Sequence, residues 1–256
     1  MTQYDSNGRF KISFSSTGGP PSVTTIEGFS ATDYYEAAPG VAQGGATFAA
    51  IWYGYFIDFV DGAGQFLMGQ TSGGLTGGWG LQVGGRVASG GVTPVGVFAV
   101  EAGPSFIDIN ESIDQSTVWH RAAPVHYAMS YVSAGPGLEL WVNGVRARFS
   151  PNASVAAFLP SPTGQFRLGR GGLFGFEHAQ HQGFIGAGYL TSSLSASDVQ
   201  EHLQACRDAG FGFAAGALPW VHRWDASGGA LATLPDQVGT GSLTRVGTPT
   251  FRTRRI

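Results

Sequence analysis

Residues 138–150 read LELWVNGVRARFS, with Asn143-Gly144 between two alternating runs. An Asn-Gly pair in that setting is the strongest short-range signal for a two-residue hairpin, since both central residues of a type I′ turn need positive φ. Folded so, Val142 faces Val145, Leu140 faces Ala147 and Leu138 faces Phe149, and these six side chains are expected to point inward. The other face pairs Glu139 with Arg148 and Trp141 with Arg146. An apolar face backed by a polar one is the pattern of a strand pair packed on a core from one side. Trp141 is then either a platform for a ligand, with Arg146 stacked beside it, or a residue covered by another part of the chain.

The rest of the chain repeats this texture. Its 256 residues include 41 Gly and 13 Pro, and only 12% are charged, a composition of many turns and few solvated helices. The runs VTTIEGFS, ATFAAIWYGYFIDF, GQFLMGQT, GWGLQVGG, VGVFAVEA, HYAMSYVS, GQFRLGR and GFIGAGYL all read as strands between Gly-rich turns, as does GRFKISFS near the start. Many short strands at near-regular spacing predict an antiparallel β-sandwich or jelly roll. One helix is predicted from Ser195: Ser195 and Asp198 make a Ser-x-x-Asp start, Val199, Leu203 and Cys206 share a face, and Gly210 ends it. Cys206 therefore belongs to the core, where a free cysteine behaves as a small hydrophobe.

Charge and cysteine usage narrow the classes. A net charge of -3 argues against nucleic acid as the main partner, because a phosphate-binding surface needs a basic excess. The single cysteine rules out an intramolecular disulfide. No apolar run is long enough to span a bilayer, so no membrane insertion is expected. The opening residues MTQYDSNGRF lack the apolar core of a secretory signal, which predicts a product made in a host cytoplasm.

The order of FLMGQTSGGLTGGWGLQV, WHRAAPVHYAMSY, LELWVNG, FRLGR and FGFIGAGYLTSSLSASDVQEHLQA resembles the laminin-G-like, concanavalin A-like jelly rolls. The resemblance covers roughly residues 26–210 and implies an all-β antiparallel jelly-roll sandwich with one short helix. It leaves 1–25 as an N-terminal extension and 211–256 as a C-terminal arm. That superfamily holds lectins, adhesion modules, glycosidases and phage virion proteins, so the fold alone does not choose among them.

The candidate sites divide by chemistry. FIDINE, residues 106–111, resembles the Glu-apolar-Asp-apolar-x-Glu strand of glucanases in that superfamily. Asp108 and Glu111 match, but Phe106 stands where the nucleophile belongs, and retaining hydrolysis needs both outer carboxylates. The segment reads instead as a polar loop. Asp108, Asn110, Glu111 and Asp114 form an oxygen-rich cluster of the kind calcium takes, which makes calcium the best metal candidate, with a solvated loop as the favoured reading; no other cofactor is expected. Glu177, His178 and His181 lie in a Gly-rich stretch without the helical spacing of zinc sites. Among the aromatics, Trp52 is assigned to the core, while Trp79, Trp141 and Arg146 are the candidate ligand-binding residues.

These readings predict a non-enzymatic structural or decoration protein of a bacteriophage particle, in the head or a tail appendage. The alternative is a glycan-binding adhesion module at a cell surface, and a glycoside hydrolase comes last. Partners would be other copies or virion proteins, and surface glycans. The arm carries the expected assembly residues Trp220, Trp224, Phe251, Arg252, Arg254 and Arg255. It is expected to cover a sandwich face or join neighbouring copies, meeting Trp141 or Trp79.

Overall fold

The computed structural model describes residues 3–4, 10–11, 21–42, 44–56, 65–71, 78–83, 94–100, 106–112, 124–134, 137–150, 164–173, 176–178, 182–228 and 231–255. The strands run in chain order from β1 (Gln3–Tyr4), β2 (Phe10–Lys11), β3 (Ser22–Glu27) and β4 (Tyr34–Ala37) to β5 (Thr47–Phe56), β6 (Gln65–Thr71) and β7 (Gly78–Val83). Next come β8 (Pro94–Val100), β9 (Phe106–Ser112), β10 (Val125–Val132), β11 (Gly137–Val142) and β12 (Val145–Ser150). β13 (Gln165–Leu168), β14 (Arg170–Leu173), β15 (Phe176–His178) and β16 (Gln182–Leu190) precede helix α1 (Ala196–Asp208). The chain closes with β17 (His222–Asp225), β18 (Thr233–Leu234), β19 (Leu243–Val246) and β20 (Thr250–Arg255).

These elements form an all-β sandwich of two eight-stranded antiparallel sheets with one described helix, a lectin-like jelly roll. The first sheet runs β12-β11-β10-β5-β16-β3-β20, with β17 also paired to β16; the second runs β18-β19-β4-β13-β6-β7-β8-β9. Between them the inner faces interdigitate aromatic rings. Phe48 lies 5.5 Å from Trp79, and Trp79 lies 6.0 Å from Phe166 and 5.9 Å from Tyr189. Each such ring taken fully out of water contributes about 1.5–3 kcal/mol. Trp52 belongs to this core, as expected.

The hairpin forms with Asn143 at φ 50 and Gly144 at φ 80, the two positive values a type I′ turn demands. Val142 faces Val145 and Trp141 faces Arg146. A bulge then leaves Ala147 unpaired, so that Leu140 meets Arg148, Glu139 meets Phe149 and Leu138 meets Ser150. The extra residue shifts the expected register by one, because a bulge sets two residues against one. Leu138, Leu140 and Val142 are buried, but Val145, which heads the edge strand β12, is 70% exposed. The side chains of Ala147 and Phe149 lie outside the described residues.

Three further differences concern organisation. FIDINE forms strand β9, paired along its length with β8, rather than a loop. YYEA, unremarked in the sequence, is β4, whose Tyr35 and Ala37 enter the core. Most consequential, the C-terminal segment supplies β17 and β20 to one sheet and β18 and β19 to the other. Strands from all three sequence segments thus share sheets, and the tail is part of the sandwich.

Candidate functional site

The outer face of the first sheet carries a second apolar layer. Its strands bring Ile51, Tyr53, Ala128, Trp141 and Ile185 to that side, where α1 and the segment after it cover them with Val199, Leu203, Phe213 and Trp220. This explains why β5 reads TFAAIWYGYF without clean alternation: it is buried on both faces. The helix begins as predicted, with Ser195 accepting from the Asp198 N–H at 3.2 Å and the Ser195 N–H donating to Asp198 at 2.7 Å. Two glycines receive the covering rings. A Cβ on Gly186 would collide with Phe213, and one on Gly188 with Trp220.

A polar pair is sealed beneath this layer. His126 Nε2 lies 2.9 Å from His202 Nδ1, and His202 Nε2 lies 3.0 Å from the Ala214 carbonyl. A carbonyl only accepts, so His202 carries its proton on Nε2, and His126 must donate from its own Nε2. Both imidazoles are then neutral. Burial lowers both, holding His202 at about 4 and His126 well below the usual range, where His202 and Arg207 also disfavour charge. Burial likewise pushes the Cys206 thiol up to about 11, which makes it inert. This chain ties α1 and residue 214 to β10; its chemistry is structural.

An imidazole–carboxylate pair, His222 Nδ1 and Asp236 Oδ2 at 2.7 Å, is also committed to structure. Burial would raise Asp236, but the bonds from His222 and from the N–H groups of Gly239, Arg223 and Val238 hold it below its ordinary value. The carboxylate organises the 236–241 loop.

One cleft opens where the first sheet forks. β3 pairs with β16 only at Ile26 and Phe184, because β17 takes Gly186 to Tyr189 on the same edge. The N-terminal half of β3 therefore stays with β20 alone and diverges from β17. The space between them has a volume of about 280 Å³. Buried Val23, Ile185 and Phe213 make its apolar floor, while Ser22, Asp225 and Ser227 stand at its rim. The C-terminal end of α1, at Ala209 and Gly210, closes one side. Asp225 Oδ1 accepts from the Ser227 N–H at 3.0 Å and from the Ser227 hydroxyl; among the described residues Oδ2 has no partner. Hydrophobic periodicity could not reveal this site, since β3 and β17 are about 200 positions apart and neither carries a motif.

The candidate residues from the sequence lie elsewhere. Trp141 is 1% exposed beneath α1, and Trp79 is fully buried with its Nε1 donating to the Ala42 carbonyl at 2.9 Å. Neither has a face open to a ligand, a correction caused by the covering layer and by the second sheet. Arg146 is exposed at the sheet edge and pairs with Glu139 at 3.1 Å. Asp108, Asn110 and Glu111 fall on β9, but their side chains, the whole of Asp114 and the side chains of Glu177, His178 and His181 lie outside the described residues.

The expected assembly residues are largely consumed within the chain. Trp224 is in the inter-sheet core, stacked 4.8 Å from Phe166, and Trp220 lies in the outer layer. Phe251 packs against the inter-sheet core. Arg254 makes a two-pronged contact with Glu27 at 2.7 Å on each oxygen, and Arg252 lies 3.5 Å from the same carboxylate. Arg255 is exposed on β20. Trp220 and Trp224 are thus buried within the chain itself, while Phe251 is half-buried on the edge strand β20.

No known family model matches the chain, and no curated protein sequence matches it. Solved structures do. A candidate carbohydrate-binding protein from Bacteroides ovatus superposes with a TM-score of 0.61 at 15% identity, covering 93% of this chain. The chain spans 60% of that protein's length. A heptameric pentraxin from Limulus polyphemus matches over 72% of this chain and 82% of its own, at 10% identity and a TM-score of 0.47. Tailspike protein 2 of the Escherichia coli O157:H7 bacteriophage CAB120 matches over 73% of this chain and 28% of its own, at 12% identity and a TM-score of 0.48. At such identities the first likeness establishes the fold.

Proposed function

We propose that this protein is a non-catalytic glycan-binding module built on a lectin-like sandwich. The observation that carries the reading is the fork cleft, which combines an apolar floor with a polar rim at the scale of one sugar ring. Sugar rings present C–H faces to apolar surfaces and hydroxyls to acceptors, and small-ligand sites pair those two features. The carbohydrate-binding description of the Bacteroides ovatus protein that shares the fold supports it further. Among the described residues the two imidazole pairs are spent on structure, which supports binding over turnover.

A bacteriophage-particle role is the second reading, with the module acting as a host-recognition appendage. It has lost the support expected from a free C-terminal arm, because Trp220 and Trp224 are buried within the chain. A glycan array probed with the full chain tests the main reading. Retention of a defined subset of glycans, without cleavage, is expected; retention of none, or release of cleaved product, overturns it.

A further inference from the structure

The geometry points to a neutral or amino-bearing sugar ring as the occupant of the fork cleft, with Asp225 as the residue that selects against acidic sugars; this rests on the glycan-binding reading. The cleft has three features that bear on charge. Asp225 is held by Ser227 through Oδ1, so Oδ2 is a positioned acceptor rather than a swinging one. An ionised carboxylate only accepts, and a hydroxyl or ammonium donor on the ligand makes a charge-assisted bond to it. The end of α1 at the rim adds to this, since the C-terminal end of a helix dipole carries partial negative charge.

The third feature is what the lining contains: among the described residues that line the cleft there is no arginine, lysine or histidine. A sialic acid, a uronic acid or a sulfated sugar would bring its own anion toward Asp225 and the helix end, with no cation among the described lining residues to meet it. A neutral hexose presents hydroxyls to the same groups, and glucosamine adds an ammonium. The floor of Ile185, Val23 and Phe213 is indifferent to charge and accepts the C–H face of any of them.

Saturation-transfer NMR on the full chain, with methyl mannoside, methyl galactoside, glucosamine, glucuronic acid and N-acetylneuraminic acid as probes, tests the assignment. Two variants accompany it: Asp225→Asn, and Gly212→Leu, whose side chain would enter the cleft from a position where a Cβ has room. Thermal melts establish that each folds. The expected result is binding of neutral or amino sugars over both acids, about tenfold weaker binding in Asp225→Asn, and none in Gly212→Leu. A preference for either acid overturns the charge assignment. Binding unchanged by both variants overturns the cleft while leaving the glycan reading intact. Failure of the wild-type chain to bind any glycan, on the array or among the probes, defeats the glycan reading itself.

Discussion

The indole of Trp220 lies directly on the backbone of Gly188, so close that a Cβ there would occupy the position of the ring. That contact docks the segment after α1 onto β16, and it depends on the absence of a side chain. The Trp220 Nε1 is satisfied locally, donating to the Ala215 carbonyl at 2.5 Å.

Replacing Gly188 with Val should force the indole off the sheet. Overpacking of this kind costs about 1–3 kcal/mol. Urea denaturation should show a lower midpoint, and quenching should report a more accessible tryptophan. An unchanged midpoint would mean that the cover is not docked through this pair.

The buried imidazoles should make stability depend on acid. Their folded pKa values lie below the unfolded value near 6.5, so the folded state binds fewer protons. Their stabilising contribution is complete above about pH 6.5 and declines as pH falls toward the folded His202 value of about 4. The unfolding free energy measured across that range should fall with a slope that flattens when His202 is replaced by Leu. Proton NMR should find His202 neutral at pH 6; a normal titration there would refute the sealed pair.

At the hairpin tip, Gly144→Val should destabilise for two reasons. φ is +80, and a Cβ would press on Leu203 at 3.2 Å. A β-branched residue held there costs on the order of 1–3 kcal/mol. The melting temperature should drop, and Gly144→Asn, which tolerates positive φ better, should recover part of the loss.

Deleting residues 211–256 should abolish cooperative folding instead of leaving an intact sandwich. The deletion removes β17–β20 together with Phe213 and Trp220, and so strips both sheets of strands and uncovers the outer face of one. Circular dichroism with heating should show no sharp transition. A soluble truncated domain that melts cooperatively would restore the picture of a separate arm.

Much of the fold was legible because its signals are local. The Asn-Gly turn, the alternation of β10 and β11 and the Ser-x-x-Asp start of α1 each lie within a dozen residues, where steric and hydrogen-bond preferences act directly. Alternation also sorted the strand faces correctly where no bulge intervened: Leu138, Leu140 and Val142 go one way and Trp141 the other. What alternation could not say is what lies over a face. Trp141 is covered by a helix some sixty residues later, and His126 finds its partner 76 positions away at His202.

The tail shows the same limit. Its short apolar runs predict burial, and burial against its own sheets or against a neighbour's satisfies the same hydrophobic demand. Only the tertiary arrangement decides, by leaving an edge of β16 and β3 that β17 and β20 fill. The fork cleft follows from that competition: β17 and β3 both seek one edge of β16, and Asp225 stands at the gap because neither strand can occupy the whole of it. Sequence determined the strands, the turn and the helix through local backbone preference. Tertiary structure determined which tryptophans are covered and where a ligand can enter, because those depend on contacts between residues that no local pattern connects.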